Sequence, residues 1–158
     1  SLSDLGITDL FGAKLFDISG YLFENGLTIA PPQACLYHAP CHDSLKGTAV
    51  AQLAKAGIDT RAVPYCCSEA GTMALSRPDI SYSMFLRKQD AIEQAREDLD
   101  NIKKPKILTN CPSCVQGLGR QNQGTAVHMA VELAGLTGGA DWMNQFRALI
   151  KNLEIVTF

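Results

Sequence analysis

Lys106-Ile107-Leu108-Thr109, followed at once by Asn110-Cys111-Pro112-Ser113-Cys114, decides how this chain is read. Three apolar or β-branched residues in a row predict a short buried strand over Lys106–Thr109. Pro112 is suited to the first turn of a helix, where its missing N–H costs nothing. The stretch is therefore a strand, a tight turn carrying two cysteines, and a helix. The turn sets Cys114 near a helix N-terminus, which favours thiolate.

The same pattern recurs on both sides. Ala34–His38 is a second short apolar run, ended by Pro40 and followed by Cys41. Leu45–Ala56 reads as a helix closed by Gly57. Thr60–Tyr65 is a third strand with Cys66-Cys67 just past its end, and Thr125–His128 a fourth. Pro78 opens a long helix whose apolar stripe runs Ile80, Met84, Phe85, Ile92, Ala95, Leu99 and Ile102. Of the 30 charged residues (14 basic, 16 acidic), 13 fall between Arg77 and Lys106, as expected of a solvated helix face. Residues 4–25 have helical periodicity, broken into two short helices by Gly12 and Gly20. Further helices are expected near 129–135 and 140–152, around Gly138-Gly139. Strands alternating with helices predict an α/β domain: a mostly parallel sheet of about four strands flanked by helices in two or three layers. The 158 residues are expected to form a single domain. It divides into an N-terminal helical segment (1–30), a motif-bearing core (31–135), and a C-terminal helix and tail (136–158).

Composition excludes several functions. Net charge is −2 and the isoelectric point near 5.9, so no basic field exists to hold nucleic acid. No apolar run approaches the roughly 18 residues of a membrane span. Ser1-Leu2-Ser3-Asp4 has neither the basic nor the apolar region of a secretory signal, which predicts a cytoplasmic protein. A start without Met predicts a processed chain or a piece of a longer one. Gly71 after the cysteine pair lacks the Lys of a phosphate loop, and Gly117 and Gly119 fall short of a dinucleotide fingerprint.

In an open parallel sheet, ligands bind along the edge where the strands end. Cys41, the pair Cys66-Cys67, and Cys111 with Cys114 should therefore converge, while Cys35, inside a strand, should be a core residue. Four chemistries suit such a set. A Cys111/Cys114 dithiol fits the Cys-Pro-x-Cys turn but leaves three cysteines idle. Structural zinc takes four thiolates and leaves one over. Plain burial suits free cysteine generally, but not five residues in loops. An iron–sulfur cluster is held by cysteine thiolates and accommodates the larger set. His42 and His38, flanking Cys41, read either as hydrogen-bond donors to a cluster sulfur or thiolate or as packing residues. His128 reads as structural, Met73, Met84, Met129 and Met143 as packing, and Trp142 as a core or interface anchor.

The stretches Tyr37-His38-Ala39-Pro40-Cys41-His42, Cys66-Cys67-Ser68-Glu69-Ala70-Gly71 and Asn110-Cys111-Pro112-Ser113-Cys114 resemble the cysteine-rich CCG domain. That family includes the cysteine-rich component of heterodisulfide reductase and the iron–sulfur subunits of glycolate oxidase and anaerobic glycerol-3-phosphate dehydrogenase. It also forms the C-terminal region of large FAD-linked oxidases of 2-hydroxy acids. Lys88 and the stretch His128–Leu133 are similar to it too, so the resemblance spans roughly residues 14–135. Ser68 stands where the family has Gly, and Ala39 where Asp is common. The resemblance implies a 4Fe–4S cluster, of the noncubane type known in the family, on Cys41, Cys66, Cys67, Cys111 and Cys114. It implies an oxidoreductase role in electron transfer, with FAD on a partner dehydrogenase domain or subunit. A ferredoxin-type cluster domain and attachment at the inner membrane through partners complete the expectation. The isolated chain is expected to be an incomplete enzyme that loses its cluster readily.

Overall fold

A computed structural model of the chain describes residues 16–29, 33–69, 73–99 and 102–151. The expected helical residues 4–15, Gly71 and the tail beyond 151 lie outside the described residues. The element order is α1 (Ile18–Glu24), β1 (Gln33–Tyr37), α2 (Ala49–Lys55), β2 (Ile58–Ala62), α3 (Met73–Ser76), α4 (Pro78–Glu97), β3 (Lys106–Thr109), α5 (Pro112–Gly119), β4 (Thr125–His128), α6 (Met129–Gly138) and α7 (Trp142–Lys151). The four strands form one sheet in the order β2-β1-β3-β4, and every pairing is parallel. The protein has an α/β fold.

The sheet is buried on both faces, so the architecture has three layers. Alternation along β1 shows it. Cys35 and Tyr37 point into one core with Leu45, Leu53, Met129 and Leu133, contributed by α2, α6 and the turn before α2. Leu36 points into the other, with Ala91, Ile92 and Ala95 of α4 and Leu118 of α5. Strand order reverses between β1 and β3, which makes their carboxyl ends the switch point of the sheet, where a crevice opens. Two backbone bonds carry the ladder past the strand ends. His38 N donates to Leu108 O (2.9 Å) and Val63 N to Tyr37 O (2.8 Å), so the loops leave the sheet in fixed directions.

Boundaries differ from the sequence reading where side chains intervene. The expected helix from Leu45 starts only at Ala49, because Asp43 accepts from Leu45 N (3.0 Å) and Gly47 N (2.7 Å). That turn puts Lys46 and Gly47 at positive φ, which a helix cannot contain. β2 begins two residues earlier than expected, after Gly57, whose φ of 94° suits glycine and where a Cβ would meet Ile29 O at 2.7 Å. α4 ends at Glu97, before Leu99 and Ile102 of the predicted stripe; of that stripe Ile92, Ala95 and Leu99 are buried, Ile80 and Ile102 are exposed, and Lys88 is wholly buried. No helix among the described residues is long and apolar enough to cross a membrane.

Candidate metal centre

Three loops meet at the switch point. β1 delivers His38 and, after Pro40, Cys41. β3 delivers Cys111 as the N-cap of α5, whose side chain makes no capping bond, and Cys114 on the first turn. β2 delivers Val63 through Cys67. This last loop is tightly wound, with Tyr65 (φ 68°) and Ser68 (φ 64°) in the left-handed region on either side of the cysteine pair. Such torsions cost free energy in non-glycine residues and persist only when the surroundings hold them. α5 presses on the loop through Gly117, where a Cβ would lie 2.8 Å from Cys67 O and from Glu69 Cβ. One turn earlier on the same helix, Cys114 Sγ lies 3.2 Å from Cys67 Sγ.

Of the five sulfurs, those of Cys67 and Cys114 touch. Cys41 is near enough to raise the Cys66 thiol, and Cys111 near enough to raise that of Cys114. Cys67 and Cys114 are buried, Cys66 and Cys111 half-buried, and Cys41 exposed. All are free thiols. Cys35 is apart from them, on the opposite face of the sheet, within 3.6 Å of Thr60 Oγ1. Burial there pushes its thiol up to about 11.

Charge at the site concentrates on Cys67. The Cys114 thiol beside it, then His38 and the Glu69 backbone, hold Cys67 well below an ordinary thiol, against the opposing effect of burial. The same contact raises Cys114 far above the usual range, so the pair shares one proton. Cys66 is raised, chiefly by burial. His38 is 2% exposed, and its ring nitrogen and the sulfurs of Cys67 and Cys114 all lie within 4.8 Å of one another, a spacing suited to one metal ion. His42 is exposed, in the bend after Cys41.

Lys88 is the residue whose part the sequence reading missed. Its Nζ lies 2.9 Å from His38 Nδ1 and donates to the carbonyls of Val63 (3.0 Å), Pro64 (2.7 Å) and Tyr65 (3.1 Å). Burial lowers its pKa to about 8, partly offset by the thiols of Cys67, Cys114 and Cys66. The available signal was its register: Lys88 stands three and four residues before Ala91 and Ile92, on the apolar stripe.

The lining suits a sulfur-rich group. Besides the five thiols, His38 Nε2, Ser68 Oγ, Thr109 Oγ1 and Asn110 Oδ1 are buried with no hydrogen-bond partner among the described residues. All four belong to the strand ends or the cysteine loop. A cleft of about 300 Å³ opens onto Cys67 between Ser68, Tyr82 and Phe85, with the Arg120–Glu69 ion pair (2.7 Å) at its side. Comparison with protein-family models, curated proteins and solved structures finds no match for the chain.

Proposed function

We propose that this chain is an iron–sulfur electron-transfer domain of an FAD-linked 2-hydroxy-acid dehydrogenase. Cys41, Cys66, Cys67, Cys111 and Cys114 would hold the cluster. The observation that carries the proposal is that the loops after β1, β2 and β3 carry five free thiols, of which Cys67 and Cys114 meet at 3.2 Å, with the sixth cysteine in the other core. Five thiolates exceed the four that close a zinc site, whereas multi-iron clusters are held by cysteine. Ser68 adds support: its φ of 64° suits the Gly found there in the family this sequence resembles.

When bound, the cluster supplies one-electron transfer. The chain's own residues do the rest. α5 and the Cys66-Cys67 loop bury Cys67 and Cys114 away from water, His38 stands within 4.8 Å of both sulfurs, and the Lys88 ammonium sets positive charge near Cys67, Cys114 and Cys66. Exposed Cys41 leaves a short path to a partner. Flavin and substrate would lie on another domain or subunit, and the acceptor beyond it. In this reading the domain works in the cytoplasm, at the inner membrane where its partners are.

The test is anaerobic reconstitution with ferrous iron and sulfide, followed by EPR of the reduced and oxidised protein. A cluster signal without bound flavin, and no oxidation of a 2-hydroxy acid by the chain alone, is the expected result. Uptake of a single zinc ion with no cluster signal would favour a zinc-stabilised interaction domain built on His38, Cys67 and Cys114. A chain that cycles only between dithiol and disulfide would favour a thiol redox domain.

A further inference from the structure

Lys88 is fully buried, 23 to 25 residues along the chain from the carbonyls it binds, and ordinary core packing does not call for a lysine there. Its ammonium has three N–H bonds. It faces four acceptors: three consecutive carbonyls, Val63, Pro64 and Tyr65, and His38 Nδ1, at 2.7–3.1 Å. One N–H is therefore shared. A carbonyl can only accept, so the nitrogen facing three of them acts as a donor, and the imidazole nitrogen beside it is an acceptor too. A neutral imidazole carries one ring proton. With Nδ1 accepting, that proton is on Nε2. Nε2 is buried and makes no hydrogen bond among the described residues. A ring nitrogen of His38 lies within 4.8 Å of the Cys67 and Cys114 sulfurs.

We propose that Lys88 is the positioning residue of the thiol centre. By donating to His38 Nδ1 it keeps the ring proton on Nε2, so that His38 serves the Cys67 sulfur as a hydrogen-bond donor and not as a metal ligand. With the same ammonium it ties down the three carbonyls that lead into Cys66, and so holds Tyr65 in its left-handed torsion. The three potential ligands His38, Cys67 and Cys114 are in this account two sulfurs and a donor. An outer hydrogen bond of this kind adjusts the basicity of a ligating sulfur, and its loss typically weakens metal binding ~10–100-fold. A compact point donor is required. The planar fork of an arginine cannot direct one atom at three carbonyls and a ring nitrogen.

The inference deepens the proposed function, and its test does not depend on an iron–sulfur cluster. The metal-free chain, kept reduced, is labelled with 15N in its imidazoles. There are only three histidines, and His128 serves as a reference because its Nδ1 accepts from Ala130 N at 3.3 Å. At neutral pH the wild-type spectrum should place the His38 proton on Nε2. In Lys88→Met that preference should disappear, and amide exchange in residues 63–67 should accelerate. Titration with Co(II) alone should show thiolate-to-cobalt absorption in both proteins, with affinity ~10–100-fold weaker in Lys88→Met. Lys88→Arg should restore neither the tautomer nor the affinity. An Nδ1-protonated His38 in the wild type overturns the proposal even if no variant folds. So does a Lys88→Met or Lys88→Arg protein with the wild-type tautomer and Co(II) affinity. If the wild type binds Co(II) and carries the expected tautomer but never assembles a cluster, the proposed function fails and the role of Lys88 stands.

Discussion

Gly117 of α5 packs so closely on Cys67 that a single added carbon would sit 2.8 Å from the Cys67 carbonyl oxygen. The contact is with backbone, which cannot swing aside as a side-chain tip can. This close approach is what lets Cys114, one turn earlier, meet Cys67. Gly117→Ala should therefore destabilise the metal-free fold by about 1–3 kcal/mol, the usual range for overpacking. It should also weaken metal retention, because the cysteine loop must move. Gly119, with nothing within 4 Å, is the control: Gly119→Ala should be neutral or stabilising by up to about 1 kcal/mol. Urea unfolding of both variants checks this, and equal destabilisation would contradict it.

Air oxidation of the metal-free chain should link Cys67 to Cys114. Their sulfurs, at 3.2 Å, need only close to the roughly 2.05 Å of a disulfide. Cys67 is the more acidic partner, so its thiolate is the one that oxygen-derived peroxide oxidises to the sulfenic acid, which the Cys114 thiol then attacks with release of water. Peptide mapping without reductant should find this bridge first. A Cys111–Cys114 bridge as the main product would count against the geometry.

Cys35 makes a pH prediction that the metal site does not complicate. Its folded-state pKa is raised, to about 11 from 9.0, by burial. Below pH 9 the thiol is protonated in both folded and unfolded chains, and its contribution is fully present. As pH rises toward 11 the unfolded thiol ionises while the folded one stays neutral, and stability is lost. The loss is roughly 2–3 kcal/mol at most. Subtracting the stability of Cys35→Ala from that of the wild type, measured from pH 8 to 11, should give a curve falling over this window. A flat difference would show that the buried thiol is not perturbed.

Much of the fold was legible in local chemistry. Lys106–Thr109 and Thr125–His128 matched the observed strands residue for residue, because Pro105 and Gly124 mark where they begin. The meeting of Cys67 with Cys114 followed from one rule, that loops at the carboxyl ends of parallel strands share an edge. Other features left no local trace. Asp43 delays α2 through side-chain bonds to backbone that no periodicity reveals. Tyr65 and Ser68 occupy left-handed torsions that neither residue type announces. Lys88 was counted with the charges of its helix, and the family resemblance that marked it gave it no role. Its burial depends on three carbonyls and an imidazole brought to it from two other loops.

The central claim is that five thiols at the switch point hold one iron–sulfur centre and that Cys35 takes no part. Iron and acid-labile sulfide should be measured on anaerobically reconstituted wild type and on each of the six single Cys→Ser variants. The account predicts about four irons and matching sulfide in the wild type and in Cys35→Ser. It predicts marked loss in Cys66→Ser, Cys67→Ser, Cys111→Ser and Cys114→Ser, with a weakened, oxygen-labile centre in Cys41→Ser, whose side chain is exposed. Wild-type protein that takes up no sulfide, or a Cys35→Ser variant as depleted as the others, would contradict it.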